Sequence, residues 1–229
     1  MTVIRTMVAL SGRFRAYGRP AALVNAALFI TLLLAASVGN ARAADPVRLL
    51  VLGDSLTAGY GLPAPSNFPN RLQAALRAKG LNVTVINAGV SGDTTAGGRA
   101  RLAWALRDDP DAVIVELGAN DALRGLEPQE AYNNLDAILT TLGEKHVPVL
   151  LAGMMAPPNL GKEYAAAFDA IYPKLAKKHG VALYPFFLDG VAANPKLNQD
   201  DGMHPNAAGV HVIVTAMLPA VERLLAEAK

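Results

Sequence analysis

Short apolar runs alternate with longer amphipathic stretches throughout the chain after residue 44. The runs are rich in Val, Leu and Ile and contain few polar residues, a pattern typical of strands that are buried on both faces of a sheet. They predict strands at residues 47–52, 82–86, 112–117, 147–152 and 181–184. Helical spacing of apolar residues predicts helices near residues 67–79, 94–107, 128–144, 163–179 and 206–226.

This alternation predicts a single α/β domain over residues 44–229, with a mainly parallel five-stranded sheet that helices cover on both faces. In sheets of this kind, ligands bind beyond the carboxyl ends of the strands. The residues that follow each predicted strand are therefore the first candidates for a functional site.

Residues 1–43 have a different pattern. Four arginines precede the 18 mostly apolar residues 21–38, and the sequence Ala41-Arg42-Ala43 follows them. A positive segment, an apolar segment and a small-residue cleavage site in this order are typical of a secretory signal peptide. We therefore expect a Sec-type signal at residues 1–43, a mature chain from Ala44, and a periplasmic or secreted protein. The alternative is an uncleaved membrane anchor, because an apolar run of this length nearly spans a bilayer.

The charge balance changes when this segment is set apart. Residues 1–43 contain five arginines and no acidic residue, so residues 44–229 have 16 basic and 19 acidic side chains. A slightly acidic domain argues against nucleic-acid binding. The chain has no cysteine, which excludes disulfides, thiolate metal sites and a cysteine nucleophile.

Polar or flexible residues follow the predicted strands. Ser55 comes after the first strand, and Gly92 and Asn120 come after the second and third. Asp201 and His204 lie in the loop before the last predicted helix. Because the strands are parallel, we expect these segments to meet at one edge of the sheet.

Ser55 and His204 suggest nucleophilic catalysis. A serine nucleophile needs a base that takes its proton and an acid that orients this base. His204 is the candidate base. Asp201, three residues earlier, is the candidate acid, and Asp200 is the alternative.

The remaining requirement is a set of hydrogen-bond donors for the oxyanion. The backbone N–H groups of Ser55 and Gly92 and the side-chain amide of Asn120 are the candidates. An amide suits this role because it donates hydrogen bonds without titrating. We expect Asp54 to brace the turn before Ser55 rather than to take part in the chemistry.

Four segments in this order resemble the SGNH (GDSL) hydrolase superfamily. They are Gly53-Asp54-Ser55-Leu56, Gly92, Asn120 and Asp201-x-x-His204-Pro205. Residues 117–125, 170–176 and 185–187 are also similar to the bacterial periplasmic multifunctional thioesterase/lysophospholipase/arylesterase subfamily. The resemblance covers residues 48–219, which is nearly the whole predicted domain.

The resemblance implies a three-layer α/β/α sandwich of the flavodoxin-like type. It implies hydrolysis of aryl or short-chain esters and lysophospholipids, and by extension of acyl thioesters, through a triad of Ser55, His204 and Asp201 without a cofactor or metal. A carbohydrate acetyl esterase stays open as an alternative because the superfamily includes such enzymes. A non-catalytic lipid-binding module also stays open, although binding a lipid requires none of these polar residues.

The segment after the fourth predicted strand is apolar and rich in proline. It contains Met154, Met155 and Pro157 and lies on the side of the sheet where the site is expected. Methionine adapts to ligands of varied shape, so we expect these residues to line a groove for the acyl chain; an ordinary connecting loop is the alternative. The expected partner is a small acyl ester or thioester, with membrane contact only through the signal segment or a lipid substrate, and the protein is expected to be a monomer.

Overall fold

The computed structural model describes residues 45–228, so the predicted signal peptide lies outside the described residues. Five strands form one sheet in which every neighbouring pair is parallel, and their order is β2-β1-β3-β4-β5. The strands are β1 (Val47–Gly53), β2 (Val83–Gly89), β3 (Ala112–Glu116), β4 (Val149–Ala152) and β5 (Ala182–Tyr184). The predicted fold class is confirmed.

Eight α-helices connect or flank the strands. They are α1 (Ser55–Ala58), α2 (Phe68–Ala78), α3 (Thr95–Ala105), α4 (Ala119–Leu123), α5 (Pro128–Glu144), α6 (Lys162–Asp169), α7 (Ile171–His179) and α8 (Ala207–Glu227) among residues 45–228. Helices α2 and α8 pack against each other, and α5 packs against both α3 and α7. These two groups are the outer layers of the sandwich.

The core follows from the position of each strand in the sheet. The central strands β1 and β3 are flanked on both sides, and every residue of β3 is buried. Among residues 45–228, α8 is the one helix whose length and apolar composition would suit a membrane span. Its buried residues recur at helical spacing, as in Val210, Ile213, Met217 and Val221. This pattern identifies α8 as a core helix of the sandwich.

Several element boundaries differ from the prediction, and three of these differences have an identifiable structural cause. Strand β2 continues three residues beyond residue 86, because its last residue Gly89 still pairs with Gly53 of β1. The helix predicted at residues 163–179 is two helices that meet at Ala170. Pro173 explains the break, since a proline cannot donate to the carbonyl four residues earlier and its ring clashes with that carbonyl.

The third difference concerns the start of the last helix. The predicted helix includes residue 206, but α8 begins at Ala207, and the preceding Pro205 forms an antiparallel β-bridge with Asn198. Asn206 is the N-cap of α8, and its side-chain oxygen accepts hydrogen bonds from the backbone N–H groups of Ala208 and Gly209. The loop before α8 is therefore held by the bridge between Asn198 and Pro205 and by the cap at Asn206.

Candidate active site

Ser55 is the first residue of a one-turn helix rather than part of an irregular loop. Asp54 caps this helix, and its Oδ1 atom accepts a hydrogen bond of 2.9 Å from the backbone N–H of Leu56. Gly59 ends the helix with a φ of 85°, a left-handed conformation that favours glycine. The bracing role expected for Asp54 is therefore seen directly.

The end of β2 packs closely against this helix. A Cβ atom on Gly89 would lie 2.3 Å from the backbone nitrogen of Ala58, so only glycine fits. Beyond β2, the backbone N–H of Val90 donates to the carbonyl of Gly53. These contacts place the loop that contains Gly92 beside Ser55.

The loop before α8 reaches the same edge of the sheet. The side-chain amide of Gln199 donates to the backbone carbonyls of Tyr60, at 2.8 Å, and Pro205, at 3.0 Å. The backbone N–H of Gln199 donates to the carbonyl of His204. Gln199 thus ties the loop to the segment that follows the Ser55 helix.

Ser55, His204 and Asp201 form a continuous chain of hydrogen bonds. The Nε2 atom of His204 lies 2.9 Å from the Oγ atom of Ser55, and its Nδ1 atom lies 2.6 Å from the Oδ2 atom of Asp201. The contact of Nδ1 is thus with Asp201, the first candidate for the orienting acid, and not with the alternative, Asp200. This geometry suits a relay that removes the serine proton.

Backbone groups hold the Asp201 carboxylate. Its Oδ1 atom accepts hydrogen bonds from the N–H groups of His204, at 3.0 Å, and Met203, at 2.9 Å. These two bonds, together with the contact to the His204 ring, lower the pKa of Asp201 to about 2. Asp201 is therefore a carboxylate throughout the working pH range of an enzyme.

The expected oxyanion donors lie around Ser55. Asn120 is in α4, and its Nδ2 atom donates to the carbonyl of Asp93, at 2.9 Å, and to Oδ2 of Asp54, at 3.1 Å. Gly92 has a φ of 84°, and its carbonyl accepts a hydrogen bond of 2.7 Å from Arg124. The structure thus brings all the predicted donors to one edge of the sheet.

The start of α3 holds the helix that contains Asn120. Asp121, its neighbour in α4, accepts hydrogen bonds from the backbone N–H and the hydroxyl of Thr95, at 2.8 and 2.6 Å. Burial raises the pKa of Asp121, and these bonds oppose the rise. The orientation of Asn120 is therefore fixed through two neighbouring helices.

Two buried carboxyl groups lie beneath the Ser55 helix. Asp54 and Glu116 are both completely inaccessible to solvent. Burial raises the pKa of Asp54 to about 6, although the backbone N–H of Leu56 and the Asn120 amide oppose the rise. Burial, and then repulsion by Asp54, raises the pKa of Glu116 well above its ordinary value.

A pocket of about 520 Å³ opens directly onto Ser55 and His204. Met154, Met155 and Pro157, the residues expected to line an acyl groove, lie in its wall. Met154 is buried, whereas Met155 is exposed at the rim. Further apolar residues in the lining are Leu56, Leu123, Phe186, Leu188 and Met203.

Sequence reasoning missed several residues of this site. The ring of Tyr60 lies 4.6 Å from the ring of His204, between centroids, and Arg124 holds the Gly92 loop. Neither residue belongs to a motif with a recognisable spacing. Glu116 had a signal that could have been noticed, because it is the one charged residue in a strand that is otherwise apolar.

Comparison with known proteins places the chain in a family. Residues 51–212 match the GDSL-like Lipase/Acylhydrolase family. The chain is 46% identical over 159 residues to an arylesterase of Vibrio mimicus, an alignment that covers 69% of this chain and 80% of the relative. It is 45% identical over 166 residues to thioesterase 1/protease 1/lysophospholipase L1 of Escherichia coli K12, covering 72% of this chain and 78% of that protein.

A solved structure shares the architecture. The SGNH-hydrolase family esterase AlinE4 is 50% identical to the chain, with a TM-score of 0.68 over 80% of this chain and 98% of the esterase. The family match covers most of the chain, and the curated relatives exceed the identity at which a common family is secure. The chain therefore belongs to the GDSL-like lipase/acylhydrolase family and is a hydrolase of carboxylic esters.

Proposed function

We propose that this protein is an exported serine esterase that acts through Ser55, His204 and Asp201. The observation that carries the proposal is the hydrogen-bonded chain from Asp201 through His204 to Ser55 at the mouth of an apolar pocket. A serine with only a structural role would need neither an imidazole 2.9 Å from its oxygen, nor a carboxylate bonded to that imidazole, nor an open cavity beside it.

The reaction proceeds in two halves. The Oγ atom of Ser55 attacks the acyl carbonyl while Nε2 of His204 takes the hydroxyl proton, and Asp201 stabilises the resulting imidazolium. The tetrahedral intermediate collapses when His204 protonates the leaving alcohol or thiol, which leaves the acyl group on Ser55. Water then attacks the acyl-enzyme with His204 as the base, and the carboxylic acid departs.

The oxyanion of each intermediate is stabilised by the N–H groups of Ser55 and Gly92 and by the Asn120 amide, which exchanges its hydrogen bond to the carbonyl of Asp93 for one to the oxyanion. Removal of one such donor costs about 10²–10³ in rate in comparable hydrolases. The protein supplies these donors from helix α1, the loop before α3 and helix α4, so no cofactor is needed for this step.

The lining of the pocket favours an acyl chain as the bound group. Most of its side chains are apolar, and methionines stand both inside it and at its rim. This lining supports aryl or short-chain esters and lysophospholipids, and acyl thioesters, over the sugar of a carbohydrate acetyl esterase. The names of the relatives, arylesterase and thioesterase/lysophospholipase, point in the same direction.

A fluorophosphonate probe tests the nucleophile. We expect the wild type to be labelled on Ser55, and Ser55→Ala to lose both the label and the hydrolysis of p-nitrophenyl butyrate. Ser66→Ala is the matched control, because Ser66 is in a short helical turn outside the pocket. A wild type that binds lysophospholipid but is not labelled would instead support the lipid-binding module.

Export rests on the pattern of residues 1–43 and has its own test. N-terminal sequencing of the protein from a bacterial periplasmic extract is expected to begin at Ala44. A chain that keeps its first residues and fractionates with membranes would contradict cleavage and favour the anchor.

A further inference from the structure

Two acidic side chains share one buried space beneath the proposed nucleophile. Gly53 and Glu116 are register partners in β1 and β3, so Asp54 and Glu116 both lie at the carboxyl ends of central strands. A Cβ atom on Gly53 would lie 2.6 Å from Oε2 of Glu116, which shows that this side chain folds under the turn. Within residues 45–228, neither carboxyl group forms an ion pair.

The hydrogen bonds of the two carboxyl groups are unequal. Each oxygen of Asp54 accepts one N–H, Oδ1 from Leu56 and Oδ2 from Asn120. Oε2 of Glu116 accepts the hydroxyl of Thr57, at 2.7 Å, whereas Oε1 is buried without a hydrogen-bond partner among the described residues. Two neighbouring buried acids without a cation cannot both ionise, and the charge is more stable on Asp54.

Other charged or titratable groups face this pair. His204, in the loop before α8, favours the charge on Asp54, and Asp93, in the loop before α3, opposes it. Tyr172 of α7 faces Glu116, and the backbone N–H groups of Asp54 and Thr57 partly favour a charge there. Among residues 45–228, no lysine or arginine forms an ion pair with Glu116.

Arg101 of α3 is the nearby cation, and its hydrogen bonds go elsewhere. Its Nε atom pairs with Oδ2 of Asp93 at 2.6 Å, and Nη2 donates to the carbonyl of Gly53 at 2.9 Å. Its Nη1 atom is buried and makes no hydrogen bond within the described part of the chain. Arg101 therefore stabilises the backbone around the site and leaves the pair unneutralised.

We propose that Asp54 is a positioning residue for oxyanion binding: its carboxylate, beside the buried Glu116, holds one N–H of the Asn120 side-chain amide, so that the other N–H, which donates to the carbonyl of Asp93, is the one that turns to the reacting carbonyl. This inference rests on the function proposed above and adds a second group whose ionisation controls the rate. Asp54 does not touch the substrate. It acts through the 3.1 Å hydrogen bond that its Oδ2 atom accepts from Asn120.

Protonation of Asp54 weakens this hydrogen bond, because a neutral carboxyl oxygen is a poorer acceptor than a carboxylate. The pKa of Asp54, raised to about 6, places this change in the range where esterases are assayed. Acid would then lower activity through Asp54, in addition to its effect on the Ser55 proton relay.

A double-mutant cycle tests the coupling. Asp54→Asn keeps an oxygen for the Leu56 N–H but presents an NH₂ group to the NH₂ group of Asn120. We expect this variant to lower kcat for p-nitrophenyl butyrate by about 10–100-fold, less than the loss of a whole donor. In an Asn120→Ala background, the same change is expected to alter kcat by less than about twofold. An equal loss in both backgrounds would overturn the proposal, since it would mean that Asp54 acts on the fold.

The pH dependence gives a second readout. Because protonation of Asp54 is expected to lower the rate only about 10–100-fold, the acid limb of the wild-type kcat/KM profile is expected to be steeper than one on logarithmic axes just below about pH 6 and to return to a slope of one at lower pH. Asn120→Ala is expected to remove the steep portion. Glu116→Gln replaces one neutral group with another, so we expect the acid limb to stay at the same pH. A slope of one throughout the acid limb of the wild-type kcat/KM profile would contradict the inference. A shift of that limb to another pH in Glu116→Gln would contradict it as well.

Thermal unfolding of each variant checks that it is folded before its kinetics are compared. Failure of the proposed function would show as turnover retained by Ser55→Ala. Failure of the present inference would instead show as an equal loss of kcat from Asp54→Asn with and without Asn120→Ala, in an enzyme that Ser55→Ala still inactivates. The two failures are therefore distinguishable.

Discussion

The Nε2 atom of His204 lies 2.9 Å from the Oγ atom of Ser55, although 149 positions of the chain separate the two residues. Few contacts determine this distance. The Ser55 helix is capped by Asp54 and packed against Gly89, and the His204 loop is tied by Gln199 to the backbone that follows that helix. Changes in these supports are therefore expected to lower activity, although none of the supports is a reacting group.

Replacement of the orienting acid should show which aspartate acts. Asp201→Asn is expected to lower kcat roughly 10³–10⁴-fold, because the amide favours the wrong tautomer of His204 and cannot stabilise its charge. Initial rates with p-nitrophenyl butyrate measure this effect.

Asp200→Asn is the matched control for that experiment. Asp200 is adjacent and exposed, and the structure places Asp201, not Asp200, at the ring of His204. Its replacement is expected to leave kcat within about twofold, as for most surface changes. A large loss of kcat in Asp200→Asn together with a small loss in Asp201→Asn would mean that Asp200 is the orienting acid.

Glu116 should make the folded state less stable as the pH rises. Its pKa is raised on folding, so above the ordinary range of a glutamate the folded state keeps a proton that the unfolded state has lost. The free energy of unfolding then falls with increasing pH. Asp54 adds the same effect between about pH 4 and pH 6.

Glu116→Gln removes the contribution of Glu116. Its Tm is expected to exceed that of the wild type, by a margin that grows from pH 5 to pH 8. Glu144→Gln, at an exposed position near the end of α5, should show no such trend. A margin that shrinks with rising pH would mean that Glu116 is ionised in the folded protein.

Gly89 is expected to be essential for the position of Ser55. Gly89→Ala places a Cβ atom 2.3 Å from the backbone nitrogen of Ala58, so the Ser55 helix must shift. We expect a loss of about 1–3 kcal/mol in stability from overpacking, together with a fall in kcat. Urea unfolding and ester hydrolysis measure the two effects.

Gly143→Ala is the control for Gly89→Ala and is expected to raise stability rather than lower it. Gly143 is in α5, and a Cβ atom there would contact nothing within 4 Å. This change should stabilise the protein by roughly 0.5–1 kcal/mol, because alanine loses less conformational freedom in a helix. If Gly89→Ala keeps full activity, the packing of β2 against the helix does not set the site geometry.

Met154 is expected to limit the length of the acyl chain. Met154→Ala enlarges the pocket and should move the preferred p-nitrophenyl ester toward longer chains. Met217→Ala removes an equally buried methionine from α8, outside the pocket lining, at a similar cost of about 2–5 kcal/mol. The two profiles are compared at a temperature at which both variants are folded. An unchanged profile in Met154→Ala would argue against an acyl groove at this loop.

Several elements show which features of the fold a sequence pattern predicts and which it does not. The apolar run of β1 and the helical periodicity of α5 predict both elements closely, because burial and spacing are local properties. The one-turn helix at Ser55 has no periodicity to detect, since four residues cannot show a 3.6-residue repeat. The end of β2 was missed because its last residues are paired through β1 rather than by their own apolar character.

The sequence alone predicted the succession of strands and helices along the chain. It also indicated the candidate site residues, which are Ser55, Gly92, Asn120, Asp201 and His204. Each of these signals depends on a residue and its near neighbours. Only the tertiary structure decided that Asp54 contacts Asn120 and lies beside Glu116. Those contacts join segments that are far apart in the sequence, and the ionisation of a buried acid depends on which groups from other segments surround it.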